Sequence, residues 1–291
     1  MPIAMLCQEK LNMAKTISLI NMKGGVGKST LTVNLAWHFA GYTNWSKKIL
    51  VVDLDPQFNA SQYLLGATKY ANLIKDGKLT TWNIFEQHTR TPTGKTKFEP
   101  KEAIIPVVRM RNGGKIDLIP SGLELALSLQ NPYEKEDLLR RTLTKLENEY
   151  DMILIDCAPT ESLLTTAAYL SSEFILVPVK PEYLSTIGLP LLVSSMLDFH
   201  DKYEEHRLVL SGIVFNAVTY YSPEEERAKE EVKELAKQNE WYVFSNEINY
   251  SRSYPKGARE GQPIFRTSYA RTELAEQFKD FAQEFAKRIG L

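Results

Sequence analysis

The sequence has 291 residues, with 35 Lys and Arg against 36 Asp and Glu and a formal net charge of −1. This near-neutrality excludes a uniformly basic nucleic-acid coat but allows a local basic patch. An apolar fraction of 43% and a charged fraction of 24% set aside wholesale disorder, collagen-like repeats and a coiled-coil rod, and two cysteines, Cys7 and Cys157, are too few for a disulfide scaffold or a four-cysteine metal site.

In chain order, residues 1–15 read as an N-terminal extension without the long apolar stretch of a secretory signal. The first apolar run, Thr16 to Ile20, enters a glycine-rich turn and then a helical stretch from Ser29 to Ala40, where Leu31, Leu35 and Phe39 recur at every fourth position. A second run, Lys48 to Val52, ends in Asp53. From Thr68 to Lys115 the chain turns polar, with turn signals at Thr91-Pro-Thr-Gly94 and Arg111-Asn-Gly-Gly114. That stretch reads as a surface excursion within one domain covering 16–291, because strand-like runs resume at once. They are Ile116 to Ile119, Met152 to Ile155, Phe174 to Val177 and Leu208 to Phe215. Short apolar strands alternating with helical patterns predict an α/β fold, doubly wound, with a mostly parallel sheet and helices on both faces. In such sheets ligands bind beyond the carboxyl ends of the strands, where this sequence places its glycines and acids.

The segment Lys23-Gly-Gly-Val-Gly-Lys-Ser-Thr30 lies between a strand and a helix, the context a phosphate-binding loop requires. Glycines at 24, 25 and 27 let successive backbone N–H groups curl around phosphate oxygens, and the helix start near Ser29 adds its positive dipole end. Lys28 can reach the β- and γ-phosphates, and the Ser29 hydroxyl can ligate Mg²⁺. The nucleotide-binding candidates are therefore Gly24, Gly25, Val26, Gly27, Lys28, Ser29 and Thr30. Met22 stands where the first glycine of the ordinary loop would be, and Lys23 follows it. With that second lysine the box resembles the deviant Walker A box of the ParA/MinD superfamily of ATPases. The resemblance implies ATP and Mg²⁺ as ligands. It also implies that Lys23 crosses a dimer interface to neutralise phosphate charge on the neighbouring subunit's nucleotide, as an arginine finger does elsewhere. A solvated surface lysine is the alternative.

Two acidic motifs agree with the loop. In Ile49-Leu-Val-Val-Asp-Leu-Asp-Pro-Gln57, alternation puts Asp53 and Asp55 on one side of an extended chain, and Pro56 restricts Asp55. Met152-Ile-Leu-Ile-Asp-Cys-Ala-Pro159 is a second apolar strand ending in an acid, of the Walker B form. By the resemblance Asp156 anchors the metal, Asp53 helps to hold the metal and its waters, and Asp55 orients the attacking water. The catalytic candidates are Lys23, Lys28 and Asp55; the metal candidates are Ser29, Asp53 and Asp156. Strand-end acids taken singly are most often caps or exposed residues. Asp53-Leu-Asp-Pro-Gln57 with Asn59, Ala60 and Ser61 resembles the ParA/Soj branch, close to D-x-D-P-Q-G-N-A, although Phe58 replaces the usual glycine. Similarity continues through Ile116-Asp-Leu-Ile-Pro-Ser121, Pro178-Val-Lys-Pro-Glu182 with Gly188-Leu189, and Gly261-Gln-Pro-Ile264. Asn216, expected to end its strand, falls where the superfamily has an adenine-contacting asparagine; a strand-end turn residue is the other reading.

Between Ile248 and Arg271 five basic residues, Arg252, Lys256, Arg259, Arg266 and Arg271, face one acid, Glu260, with Tyr250, Tyr254 and Tyr269 interleaved. Non-specific duplex binding needs several cations on one surface, since each neutralised phosphate releases counterions. The ParA resemblance implies that such residues bind double-stranded DNA without sequence preference. Arg252, Lys256 and Arg259 are the candidates, against a solvated basic loop. No apolar run approaches the roughly 18 residues of a membrane span. The C-terminal stripe of Leu274, Phe278, Phe281 and Phe285 is expected to pack in the core rather than on lipid, because its polar face carries Glu273, Glu276, Asp280 and Glu284. Only about twenty residues precede the loop, so no helix-turn-helix domain of the kind one ParA subgroup carries is expected. The reading is a cytoplasmic, nucleoid-associated partition ATPase. ATP would close a homodimer that binds DNA, and a ParB-like partner would stimulate slow hydrolysis. A positioning ATPase for a protein cargo and a metabolic ligase on the same fold are the alternatives.

Overall fold

The computed structural model describes residues 13–42, 45–86, 98–130, 135–182, 185–219, 222–268 and 271–291. Cys7, the turn at 91–94 and Tyr269 lie outside them. The strands are β1 (Lys15–Leu19), β2 (Lys48–Leu54), β3 (Ile105–Arg109), β4 (Lys115–Ile119), β5 (Met152–Cys157), β6 (Phe174–Val179), β7 (Val209–Val218) and β8 (Ile248–Asn249). They form one sheet in the order β3-β4-β2-β5-β1-β6-β7-β8. Each pairing is parallel except β3 with β4.

The parallel strands read as unbroken apolar runs because both faces are covered; all six residues of β5 are buried. Alternate side chains feed two cores. Ile153, Ile155 and Val177 belong to one, and Leu154, Val51 and Leu176 to the other. Helix α1 (Lys28–Trp37) follows β1 and continues through a π-helical turn, His38–Tyr42. The stretch expected to be a polar excursion holds α3 (Ala67–Lys75), α4 (Thr81–Phe85) and β3, preceded by α2 (Asn59–Leu65). Ile84, Phe85, Ala103 and Ile105 tie it into the core. Neither β3 nor β8 was legible: β3 contains Pro106 and is half exposed, and β8 has two residues. Strand β7 runs past Asn216 to Val218, so Asn216 does not end its strand. A register shift against β8 and the left-handed Ala217 at φ 58° let the chain continue.

The remaining helices are α5 (Leu138–Thr144), α6 (Leu163–Ser171), α7 (Ser185–Lys202), α8 (Pro223–Gln238), α9 (Ser253–Glu260) and α10 (Thr272–Ile289). Helix α10 buries Leu274, Phe278, Phe281 and Phe285. Its Glu284 accepts hydrogen bonds from Tyr242 Oη at 2.6 Å and Ser245 N at 2.8 Å, pinning the helix to the sheet. No helix among the described residues is long and apolar enough to cross a membrane.

His38 lies fully buried beside Phe39 and Phe278. Burial, with the Lys279 charge adding to it, pushes its imidazole from 6.5 down to about 4. Above pH 6.5 both the folded and the unfolded chain hold it neutral. Below that pH the unfolded chain takes up a proton that the folded chain refuses, so stability falls with pH until about 4. Between about pH 7 and about pH 5 the loss from this group is expected to be about 2 kcal/mol. Urea denaturation of His38→Leu should show that component gone; an unchanged pH slope removes the imidazole from the account.

Candidate functional site

Strand β1 is the central strand between β5 and β6, so its carboxyl end opens at the middle of the sheet. Asn21 shapes the start of the loop there. Its Nδ2 donates to Pro178 O at 2.8 Å and its Oδ1 accepts from Lys23 N at 2.9 Å. Gly27 adopts φ +95°, and a Cβ there would lie 2.1 Å from Asn216 Nδ2. Both the backbone conformation and the space therefore demand glycine. Lys28 is buried, with Nζ donating to Asn21 O and Lys23 O, each at 3.2 Å. Desolvation lowers its pKa, partly opposed by Asp156. Backbone N–H groups in this loop, the N-terminus of α1 and the Lys28 ammonium converge as an anion-binding cradle. The cleft above it has a volume of 430 Å³ and is lined by Gly24, Gly25, Gly27, Lys28, Ser29 and Thr30 on one side and by Asp55, Gln57, Tyr63, Pro159 and Ala258 on the others.

Strand β5 pairs directly with both β1 and β2, and its register sets Asp156 beside Asp53. Both are fully buried beneath the cleft. Asp53 Oδ2 accepts from Ser61 N at 2.8 Å and Ser61 Oγ at 2.7 Å, and its Oδ1 accepts from Asp55 N at 3.2 Å. Burial nevertheless raises its pKa to about 7. Asp156 is raised as well, by burial first and the Asp53 charge second, while the Ser29 hydroxyl stabilises its charged form. Thr32 Oγ1 lies 3.5 Å from Asp156 Oδ1, and Asp156 Oδ2 has no hydrogen-bond partner among the described residues. An orphaned carboxylate oxygen beside Ser29, in a charge-penalised pocket, fits a divalent cation. Among the described residues no three His, Cys, Asp or Glu could hold a metal ion by themselves. Asp55 reaches the cleft itself, its Oδ1 accepting from Gln57 N at 2.9 Å.

Two expected contacts take a different form in the single chain. Asn216 donates from Nδ2 to Val26 O at 2.7 Å, bracing the loop from beneath. Lys23 Nζ lies 3.0 Å from Glu182 Oε2, and Lys180 pairs with the same carboxylate; these lysines hold Glu182 below the usual carboxylate range. The structure also accounts for Phe58. It stands at the N-cap position of α2 at φ 47°, ψ 34°, a left-handed conformation that a glycine would adopt without strain, and it stacks on Tyr70 with centroids 4.9 Å apart.

A family model described as an AAA domain matches residues 14–209. The chain belongs to that family. Within it the chain is a ParA/Soj-like ATPase. An uncharacterised protein of Methanocaldococcus jannaschii is 32% identical over 272 residues, 89% of this chain and 96% of that protein. The chromosome-partitioning ATPase Soj of Treponema pallidum is 29% identical over 96% of this chain and 99% of its own length. Among solved structures, the ATP complex of a Cyanothece McdA variant superposes with a TM-score of 0.78 at 19% identity, over 96% of this chain and 98% of that one.

This ParA/Soj-like ATPase carries part of its basic segment on α9, with Arg252 at the N-cap position just before it. Arg252, Lys256 and Arg259 follow an i, i+4, i+7 spacing, which places them along one helical stripe. Arg252 and Arg259 are exposed, and Lys256 lies 3.7 Å from Glu260. Arg266 instead covers the Trp37 ring at 5.1 Å. Helix α9 is joined to the phosphate cleft in two ways. Ala258 lines the cleft. In addition, Asn34 of α1 donates to Thr30 O at 2.8 Å and to Tyr63 Oη at 3.2 Å, and accepts from Ile264 N at 2.8 Å. Tyr63, whose hydroxyl burial pushes up to about 12, packs against Gly257 of α9. Sequence reasoning missed Asn21, Asn34 and Tyr63. Ser61 stood in the quoted motif, but its bond to Asp53 was not foreseen.

Proposed function

We propose that this ATPase segregates DNA: ATP binding pairs two chains, the pair holds double-stranded DNA through α9 without sequence preference, and hydrolysis releases it. The observation that carries the reading is the shared wall. The helix that bears Lys256 and Arg259, with Arg252 at its N-cap, contributes Ala258 to the same cleft as the phosphate loop. A change in the cleft is therefore felt directly by the cationic stripe.

In this reading Gly24 to Thr30 bind the phosphates through backbone N–H groups, and Lys28 neutralises charge on the β- and γ-oxygens. Ser29 and Asp156, with Asp53 behind them, would hold Mg²⁺, which when bound supplies charge neutralisation at the phosphates. Asp55, lining the cleft, orients the attacking water. Asn216 braces Val26 and reaches the adenine when the cleft fills. Lys23 leaves Glu182 and completes the phosphate contacts of the neighbouring subunit. The chemistry is positioning and electrostatics, so turnover is slow until a ParB-like partner completes the geometry. The protein then works in the cytoplasm, on the nucleoid.

Duplex DNA binding measured with ATP, with ADP and without nucleotide at fixed salt tests the reading. Retention is expected with ATP alone. In the Arg252→Ala/Lys256→Ala/Arg259→Ala variant the slope of log affinity against log salt should flatten by about 2.7 if each residue meets one phosphate. Binding that ignores the nucleotide, or an unchanged slope, counts against partition and against α9 respectively.

A further inference from the structure

Helix α2 stands between the phosphate cleft and α9, and one of its residues meets both. The approach to α2 and its first turn are fastened to the cleft. Gln57, Asn59 and Gln62 line it, and Ser61 holds the buried Asp53 carboxylate through N at 2.8 Å and Oγ at 2.7 Å. Tyr63 comes next in the chain, buried, and is itself part of the cleft wall. Whatever sets the position of residues 55–62 therefore sets Tyr63, because a helix of seven residues moves as one piece.

On its other side α9 is shaped around Tyr63. Gly257 lies inside that helix, where glycine is a poor helix former. A methyl group there would come within 2.7 Å of Tyr63 Oη and 2.6 Å of Gln262 O. Only a residue without a side chain lets α9 sit this close to the hydroxyl. One turn on, Gly261 ends α9 at φ 64°, and a methyl group there would lie 3.6 Å from Tyr63 O. Side chain and backbone of Tyr63 thus both meet α9, the first of them one residue from Lys256 and two from Arg259.

The hydroxyl is also where α1 takes hold. Asn34, fully buried, donates from Nδ2 to Tyr63 Oη at 3.2 Å and to Thr30 O at 2.8 Å, and its Oδ1 accepts from Ile264 N at 2.8 Å. A single amide joins the phosphate loop, α2 and the segment after α9. Packing asks for no more than the ring, which a phenylalanine would supply. The buried oxygen costs desolvation unless it is bonded, so its worth lies in the link to Asn34. Ala258 gives α9 a second contact with the cleft.

We propose that Tyr63 is the positioning residue that carries the filling of the phosphate cleft to the cationic stripe of Arg252, Lys256 and Arg259. A triphosphate held between the loop and residues 55–62 pulls on both partners of the Asn34–Tyr63 hydrogen bond. Helix α9, fitted to that hydroxyl through Gly257, is repositioned with them. This rests on the partition reading for what the stripe then binds, though not for the response of α9 itself.

Hydrogen exchange of the full chain, without nucleotide, with ADP and with ATP and Mg²⁺, reads the amides of residues 253–260. In the parent, ATP is expected to slow their exchange by about tenfold or more relative to ADP, the scale of an ordinary coupling between sites. Tyr63→Phe keeps the ring and removes only the oxygen, and in it the difference should shrink to about twofold or less. Gly257→Ala, which leaves the hydroxyl and drives α9 off it, should lose the difference independently. A merely structural hydroxyl would lower the melting temperature and leave the ratio between the two nucleotide states alone. Exchange in the parent that ignores ATP, or a Tyr63→Phe variant that no longer binds ATP, overturns the proposal. So does a parent-like ratio in either variant, which hands the coupling to Ala258. Duplex DNA retention, followed in the same samples, keeps the two ideas apart. A parent whose α9 responds to ATP but which holds no DNA sinks partition and leaves Tyr63 its role. Nucleotide-dependent retention that is equal in parent and Tyr63→Phe does the reverse.

Discussion

Lys23→Ala is expected to bind ATP as a monomer and to stay one. In the single chain Lys23 spends its charge on Glu182, with both side chains partly exposed at 20% and 43%. A pair of that kind contributes at most about 1 kcal/mol, and Lys180 still holds the carboxylate after the substitution. The fold should therefore survive, with a melting temperature near that of the parent. The cradle in cis is intact too, because Lys28, Gly27 and the α1 N-terminus do not depend on the Lys23 ammonium. What disappears is the positive charge available to a second nucleotide. Light scattering with ATP should give the monomer mass. Turnover should fall by about a thousandfold or more, the scale on which a cation supplied in trans acts in phosphoryl transfer. A variant that dimerises normally defeats the trans-lysine role.

Asp55→Ala should have the opposite signature, with ATP bound and kept. Asp55 lines the cleft but does not brace the loop. Its hydrogen bonds are from Gln57 N to its carboxylate, from its own N–H to Asp53 and from Phe58 N to its carbonyl, and the last two survive truncation. Nucleotide affinity should stay within a few-fold, while hydrolysis falls by about a hundred- to ten-thousandfold, the range for removing a group that positions or deprotonates the nucleophile. The ATP state then accumulates, and DNA once bound is retained through a chase. Single-turnover assays with radiolabelled ATP check both halves. Parent-like turnover removes Asp55 from the mechanism, and lost ATP binding shows that its work is structural.

The two variants probe the loop and the acidic strand ends, the candidate site residues that stand out in the sequence, and the reason is physical. The loop and the two acidic strand ends are contiguous stretches in which each residue's conformation and neighbours follow from local sequence. The doubly wound sheet was readable on the same grounds, since buried parallel strands leave unbroken apolar runs such as Met152 to Ile155. The couplings were not readable. Asn34 meets Ile264 across 230 positions and Asn216 meets Val26 across 190, and no local pattern encodes such a meeting. Phe58 was visible as a departure, but its left-handed backbone and its stacking on Tyr70 needed the fold. Strand β3 hid inside a polar stretch behind Pro106, a residue that argues against a strand until an edge position makes it acceptable.

That edge has a consequence for how copies of the protein can meet. One rim of the sheet is an antiparallel strand interrupted by Pro106 and a bulge, and the other is the two-residue β8. Among the described residues neither rim offers a long run of open main-chain donors and acceptors on which a neighbour could zip. Lateral sheet extension is disfavoured at both described rims. Contacts between copies at these rims then fall to side-chain surfaces, which salt can reverse, rather than to backbone ladders, which it cannot.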